Sequence, residues 1–471
     1  MPRRFFLGAS LLVAVFSVCS SAWAAKNVIL MIADGGGYNQ WLAASLYQGR
    51  VGRQVYDQPG WVHWSACTYP LNLFFRPTGN RQQLPFLVYS PAKAWDATVQ
   101  ETSGRFAGYV YLTTTYTDSA AAATALATGR KTYNHAINWS NEGHPFLGQT
   151  IAEIAKARGK SVGVITSVPW SHATPAGLGG AHNISRNHYS EIAREMLGAT
   201  WLDVLMGAGN PDFDDNGKPL AANEPHDYKY VGGQETWTAL KSGKLPWKLI
   251  EKKSEFEALA AGPTPAKVVG TAQVGSTLQE KRGRTGTHAP CEPFIDPKNA
   301  NVPSLATMAR AAINCLDDNP KGFYLMIEGG AVDWANHANE PDRLIEEQID
   351  FVQAIEAVAA WIESHGGWDQ TLLILTADHE SGLLWGPDSN EVAFQPLKDR
   401  GPGRLPGLRY NSHGHANSLV PVYARGPGRQ RFAAFARDKD EKAAAQWGVS
   451  GQYLDNTNIF QVMRAEVDAD Q

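Results

Sequence analysis

Three apolar runs in this sequence end on residues that bind metals. "NVILMIADG" (27–35) ends on Asp34, "GFYLMIEGG" (322–330) on Glu328, and "TLLILTADH" (371–379) on the pair Asp378 and His379. Just beyond Glu328 come Asp333 and His337, a four-residue step that puts both on one face of a helix. "NSHGHANSLVPVYARG" adds His413 and His415 ahead of a further apolar run. Imidazole with carboxylate suits zinc, whereas carboxylate with hydroxyl oxygen suits magnesium. A different kind of residue stands in "TYTDSAAAATALATG" (115–129), where Asp118 and Ser119 precede a run of alanines. Both are favoured helix N-caps. A serine in that place also sits among the free N–H groups and positive dipole end of the helix.

The elements that must position these residues follow from the apolar pattern. Continuous apolar runs of this length read as strands buried on both faces. "TIAEIAKARGKSVGVITS" (150–167) reads as a helix stopped at Gly159 and followed by another such strand. Ile345, Ile349, Val352, Ile355, Val358 and Ile362 recur at three- and four-residue steps, the stripe of an amphipathic helix. Strands alternating with helices predict a three-layer α/β/α sandwich with a mainly parallel central sheet. In such a sheet ligands bind at the carboxyl ends of the strands, where Asp34, Glu328, Asp378 and His379 lie.

Residues 209–300 are richer in Gly, Pro and charge and show no clear buried strand, so they read as a surface insertion or small cap rather than a separate domain. Within them Asp212, Asp214 and Asn216 precede Gly217 like the first half of a calcium loop. Position twelve of that loop is Asn223 rather than Glu, which favours a solvated turn over a calcium site. The stretch near 50–110 is unusually aromatic, with Trp41, Trp61, Trp64, Tyr69, Phe74, Phe75, Phe86, Tyr89 and Trp95 in or beside it. Such residues are core, or they line a site's mouth.

The 471 residues carry 42 basic and 46 acidic side chains, a balance that disfavours nucleic acid and a polybasic membrane contact. The first 24 residues have two arginines, a short apolar stretch and an Ala22-Trp23-Ala24 cleavage pattern. They are expected to be a signal peptide of an exported, periplasmic or secreted protein without a membrane span. Arg3-Arg4-Phe5-Phe6-Leu7 also resembles a twin-arginine signal, leaving general secretion and folded export both open. Beyond the leader stand Cys67, Cys291 and Cys315. Cys291 and Cys315 are the expected bridge, with Cys67 a buried thiol.

Together these motifs resemble the alkaline phosphatase family. "TDSAAAATALATG" is similar to its nucleophile motif, "MIADGGG" to its first metal-binding strand end, "IEGGAVDWANH" to its Glu and Asp-x-x-x-His block, and "LTADHE" to its Asp-His pair. "HATPAG" and "SRN" match further active-site segments, in the family's order over residues 27 to 430. The resemblance implies one catalytic domain over 25–471 in which the stretch near 50–110 is an insertion, a homodimer, and hydrolysis of small-molecule phosphate monoesters. It implies one zinc on Asp333, His337 and His415, and a second on Asp34, Asp378 and His379. A magnesium would take Asp34, Glu328 and Thr174. His415 is chosen over His413 for its spacing to Val420-Pro421. Ser119 would be the nucleophile, Asp118 would cap its helix and orient Arg186, and Arg186 would clamp phosphoryl oxygens as a planar fork. His172 is assigned a supporting place beside the third metal, whose identity it leaves open.

Trp334, directly after Asp333, stands where relatives carry Lys or His, which alters the charge near bound phosphate. Two other readings bear weighing. A phosphodiesterase or phosphonate hydrolase of the same superfamily often uses Thr as nucleophile and lacks the Arg clamp. A catalytically silent periplasmic phosphate- or zinc-binding protein would have lost the nucleophile. Ser119 together with Arg186 favours the phosphomonoesterase.

Overall fold

The structure is a computed structural model and describes residues 24–285, 292–436 and 438–469. The leader and Cys291 therefore lie outside the described residues, the expected Cys291–Cys315 bridge with them.

The apolar runs form the middle of one eleven-stranded sheet. Its first eight strands in chain order are β1 (Asn27–Ala33), β2 (Val62–Cys67), β3 (Ser161–Pro169), β4 (Val204–Ala208), β5 (Lys248–Ile250), β6 (Val268–Thr271), β7 (Phe323–Gly329) and β8 (Thr371–Thr376). The central order is β8-β1-β7-β3-β4-β6-β5, all parallel. On the far side of β8 the strand Val420–Arg425 runs antiparallel and pairs with β2. Every residue of β1, β7 and β8 is buried. Helices cover both faces, and two large apolar clusters fill the space on either side. This is the three-layer α/β sandwich that the strand–helix alternation predicts.

The striped helix runs Pro341–Ser364 and buries all six named positions of its stripe. The helix before β3 is Ile151–Ala157, capped by Thr150 and Glu153 in a reciprocal pair. Residues 209–300 differ from expectation. They supply β5 and β6, and β6 is wholly buried beside β4, so these residues extend the central sheet rather than only covering surface. The aromatic stretch near 50–110 likewise supplies β2. Trp41, Trp61, Tyr89 and Trp95 are core residues, while Phe74, Phe75 and Phe86 are exposed. Cys67 is buried, its thiol facing the Leu454 carbonyl.

Candidate active site

Sheet register brings the first cluster together. Ile32 of β1 lies opposite Glu328 of β7 on one side and Thr376 of β8 on the other. Asp34 thus emerges between Glu328 and Asp378, and none of the three is more than 1% exposed. The turn after Asp34 needs Gly35, whose φ is +69°. A Cβ there would also lie 2.8 Å from both Asp333 Oδ1 and Ser381 Oγ. The Gly35 amide instead donates to Asp378 Oδ1 at 3.1 Å. His379 Nε2 lies 3.2 Å from Asp378 Oδ2, 3.5 Å from Asp34 Oδ1 and 3.2 Å from Ser119 Oγ.

A second cluster grows from the helix Ala331–Ala338, which presents Asp333 and His337 on one face. Their atoms Oδ2 and Nε2 are 3.3 Å apart. His415 Nε2 comes within 3.6 Å of Asp333 Oδ1 and 3.0 Å of His337 Nε2. Each histidine donates its Nδ1 proton to a backbone carbonyl, His415 to Thr117 at 2.9 Å and His337 to His413. Since carbonyls only accept, both rings turn Nε2 inward, as metal-binding histidines do. Ser381 Oγ donates to Asp333 Oδ1 and fixes the carboxylate.

The donor sets fit divalent cations. In each of the triads Asp34–Asp378–His379 and Asp333–His337–His415 the ligand atoms lie within 4.8 Å of one another. Asp34 Oδ1, Asp378 Oδ2, Glu328 Oε1 and Thr174 Oγ1 are buried without a hydrogen-bond partner, an arrangement that is expensive unless a cation completes it. Burial, with neighbouring carboxylates, drives Asp34 well above the carboxylate range. Burial likewise takes Glu328 and Asp378 to about 7. Burial pushes His379 and His415 down, keeping them neutral as ligands must be. Against its own burial, Asp333 raises His337 to about 9.

Thr166 of β3 donates to Glu328 Oε2. Thr174 is fully buried at the second position of the helix Ala173–Leu178. His172 precedes that helix, with its ring 5.9 Å from Tyr189 and edge-on to Trp334. Burial first and Arg186 second lower its pKa to about 3. It joins neither triad and stands beside the site. Asp212, Asp214 and Asn216 each have partners within the protein. Asp212 pairs with Lys241 and Trp237, Asp214 accepts backbone amides of the turn, and Asn216 accepts from Gly283.

The helix Ser119–Thr128 is buried along its whole length. Gly177 lets the helix Ala173–Leu178 approach it closely: a Cβ added there would sit 2.8 Å from that of Ala123. Asp118 caps the helix Ser119–Thr128, accepting from Ala121 N at 3.0 Å, and also accepts from His135 N at 3.0 Å. Its other oxygen holds Arg186 Nη1 at 3.1 Å. Although burial opposes ionisation, Arg186 keeps Asp118 below the usual carboxylate range. Ser119, Arg186, Asp333, His337 and His415 line one cleft of about 900 Å³ with His135, Trp334 and Lys281.

A family model described as alkaline phosphatase matches residues 103–398. The chain belongs to the alkaline phosphatase family. It is a phosphatase, and phosphate monoester hydrolysis is its activity. Alkaline phosphatase 4 of Bacillus subtilis is 29% identical over 388 residues, covering 69% of this chain and 75% of that protein. The Escherichia coli alkaline phosphatase is 29% identical over 346 residues, covering 66% and 69%. The solved alkaline phosphatase of the Antarctic bacterium TAB5 shares the fold with a TM-score of 0.61 and 23% identity, over 96% of this chain and 100% of that one.

The structure also places residues that the motifs did not single out. Thr166 and Ser381 each fix a candidate ligand, and the His413 backbone aims His337. His135 ties Asp118 to Arg186 through its backbone: its amide donates to the former and its carbonyl accepts from the latter's amide. In sequence Thr166 is one more β-branched strand residue, and the two backbone contacts leave no side-chain signature.

Proposed function

We propose that phosphate monoester hydrolysis proceeds here through a phosphoserine on Ser119. What supports this most is the placement of Ser119 Oγ at the first turn of a buried helix, 3.2 Å from His379 and beside the Asp118-held guanidinium. Asp333, His337 and His415 would hold one zinc, Asp34, Asp378 and His379 a second, and Asp34, Glu328 and Thr174 a magnesium. When bound, such ions supply Lewis acidity that lowers the pKa of a hydroxyl and offsets developing negative charge. Arg186 grips two phosphoryl oxygens with its planar fork, and Asp118 keeps that fork aimed. The helix N-terminus adds free amides facing the phosphate. Ser119 Oγ forms a bond to phosphorus as the alcohol oxygen leaves and takes up a proton. The Ser119 hydroxyl proton leaves with the alcohol; water then attacks phosphorus, the Oγ–phosphorus bond breaks, and a proton of that water re-forms the Ser119 hydroxyl as inorganic phosphate departs. The leader pattern supports export, and the family resemblance supports a homodimer.

The test compares an aryl phosphate monoester with the matching diester at alkaline pH, before and after chelation. Monoester turnover that chelation abolishes and zinc with magnesium restores is the expected result. Diester preference would contradict it.

A further inference from the structure

The cleft holds much more than a phosphoryl group, and part of its wall is apolar: Leu73, Phe75, Tyr116 and Trp334. Phe75 comes from the aromatic insertion and is 63% exposed, a large hydrocarbon face kept in water at the cleft. It packs on His135, ring centroids 4.2 Å apart and 25° from parallel. His135 has a φ of +75°, uncommon for a residue with a side chain and sustained where the surroundings hold it. Its amide donates to Asp118, and its carbonyl accepts from the Arg186 amide at 2.7 Å. Burial lowers the His135 pKa, so its ring is a neutral flat surface. One residue therefore both ties the Asp118–Arg186 pair together and backs Phe75, setting the aromatic face in fixed relation to the phosphate clamp.

We propose that Phe75, backed by His135, is a stacking platform for the leaving group, and that preferred substrates are phosphomonoesters whose alcohol carries a flat aromatic ring. This rests on the phosphomonoesterase reading above. A ring laid on Phe75 covers apolar surface on both partners, and stacking asks for flatness rather than for particular hydrogen bonds. An aliphatic polyol gains neither.

The test measures kcat/KM for adenosine monophosphate and for glycerol phosphate, each esterified at a primary alcohol so that the leaving oxygen is alike. The metal-loaded wild type, Phe75→Ala and Phe75→Tyr are compared. The platform predicts that the wild type prefers the nucleotide. Phe75→Ala should reduce kcat/KM about five- to tenfold more for the nucleotide than for glycerol phosphate, and Phe75→Tyr should restore the preference. Equal losses on both esters, or glycerol phosphate turnover without preference for the nucleotide, would overturn the platform. Either result leaves the phosphatase reading standing, so the two fail separately.

Discussion

At the scale of single residues, the site is built so that each charged group needs a partner. Arg186 is aimed by one carboxylate oxygen of Asp118, which leaves its remaining donors for phosphate. Replacing it with Ala should lower kcat/KM on a monoester by about 10²-fold, the scale of two lost charge-assisted hydrogen bonds. Lys should recover only part of this, because it lacks the planar fork; steady-state kinetics with loaded enzyme reads both. Gly35→Ala combines a left-handed φ with contacts of 2.8 Å to Asp333 and Ser381. It should destabilise the fold by about 1–3 kcal/mol and reduce bound metal, measurable by thermal melting and elemental analysis. Of the candidate metal-binding carboxylates, Asp34, Glu328 and Asp378 were legible in the sequence because each stands at the end of an apolar strand run. Their hydrogen-bonding supports were not, since Thr166 looks like any strand threonine and Ser381 like any loop serine.

At the scale of elements, the helix Ser119–Thr128 answers both readings of its first residues. Asp118 caps it and also holds Arg186, and substitution separates the two tasks. Asn at 118 keeps a capping oxygen, so the melting temperature should stay close to wild type while kcat/KM falls through the loosened Arg186. Ala at 118 should lose both, adding about 1 kcal/mol of destabilisation. Equal melting temperatures for the two variants would contradict the capping role. The long buried strands and the striped helix were evident from periodicity. β5 and β6 were not, because they run only 3 and 4 residues, too short to stand out from a Gly- and Pro-rich background. β2 was hidden by the aromatic residues around it.

At the scale of the whole molecule, the central strands converge several acidic groups on one point, and without cations that point weakens the fold. Glu328 and Asp378 have folded pKa values raised by burial to about 7, above their ordinary range. Their contribution is therefore fully present below the unfolded pKa, about 4, and is lost as pH rises through about 7. Chelated protein should lose stability over that window. Protein with cations at a hundredfold excess over Kd should gain about 2.7 kcal/mol per site, so the difference between loaded and chelated melting temperatures should widen from pH 5 to pH 8. A constant difference across that range would count against this account of the carboxylates.

The central claim is that Ser119 is the nucleophile, and its most direct test is Ser119→Ala assayed on an aryl phosphate monoester with metal content measured on the same sample. Near-wild-type metal content with turnover reduced by about 10³-fold or more is expected. Turnover within about tenfold of wild type, with metals in place, would contradict it and move the attack on phosphorus to another group.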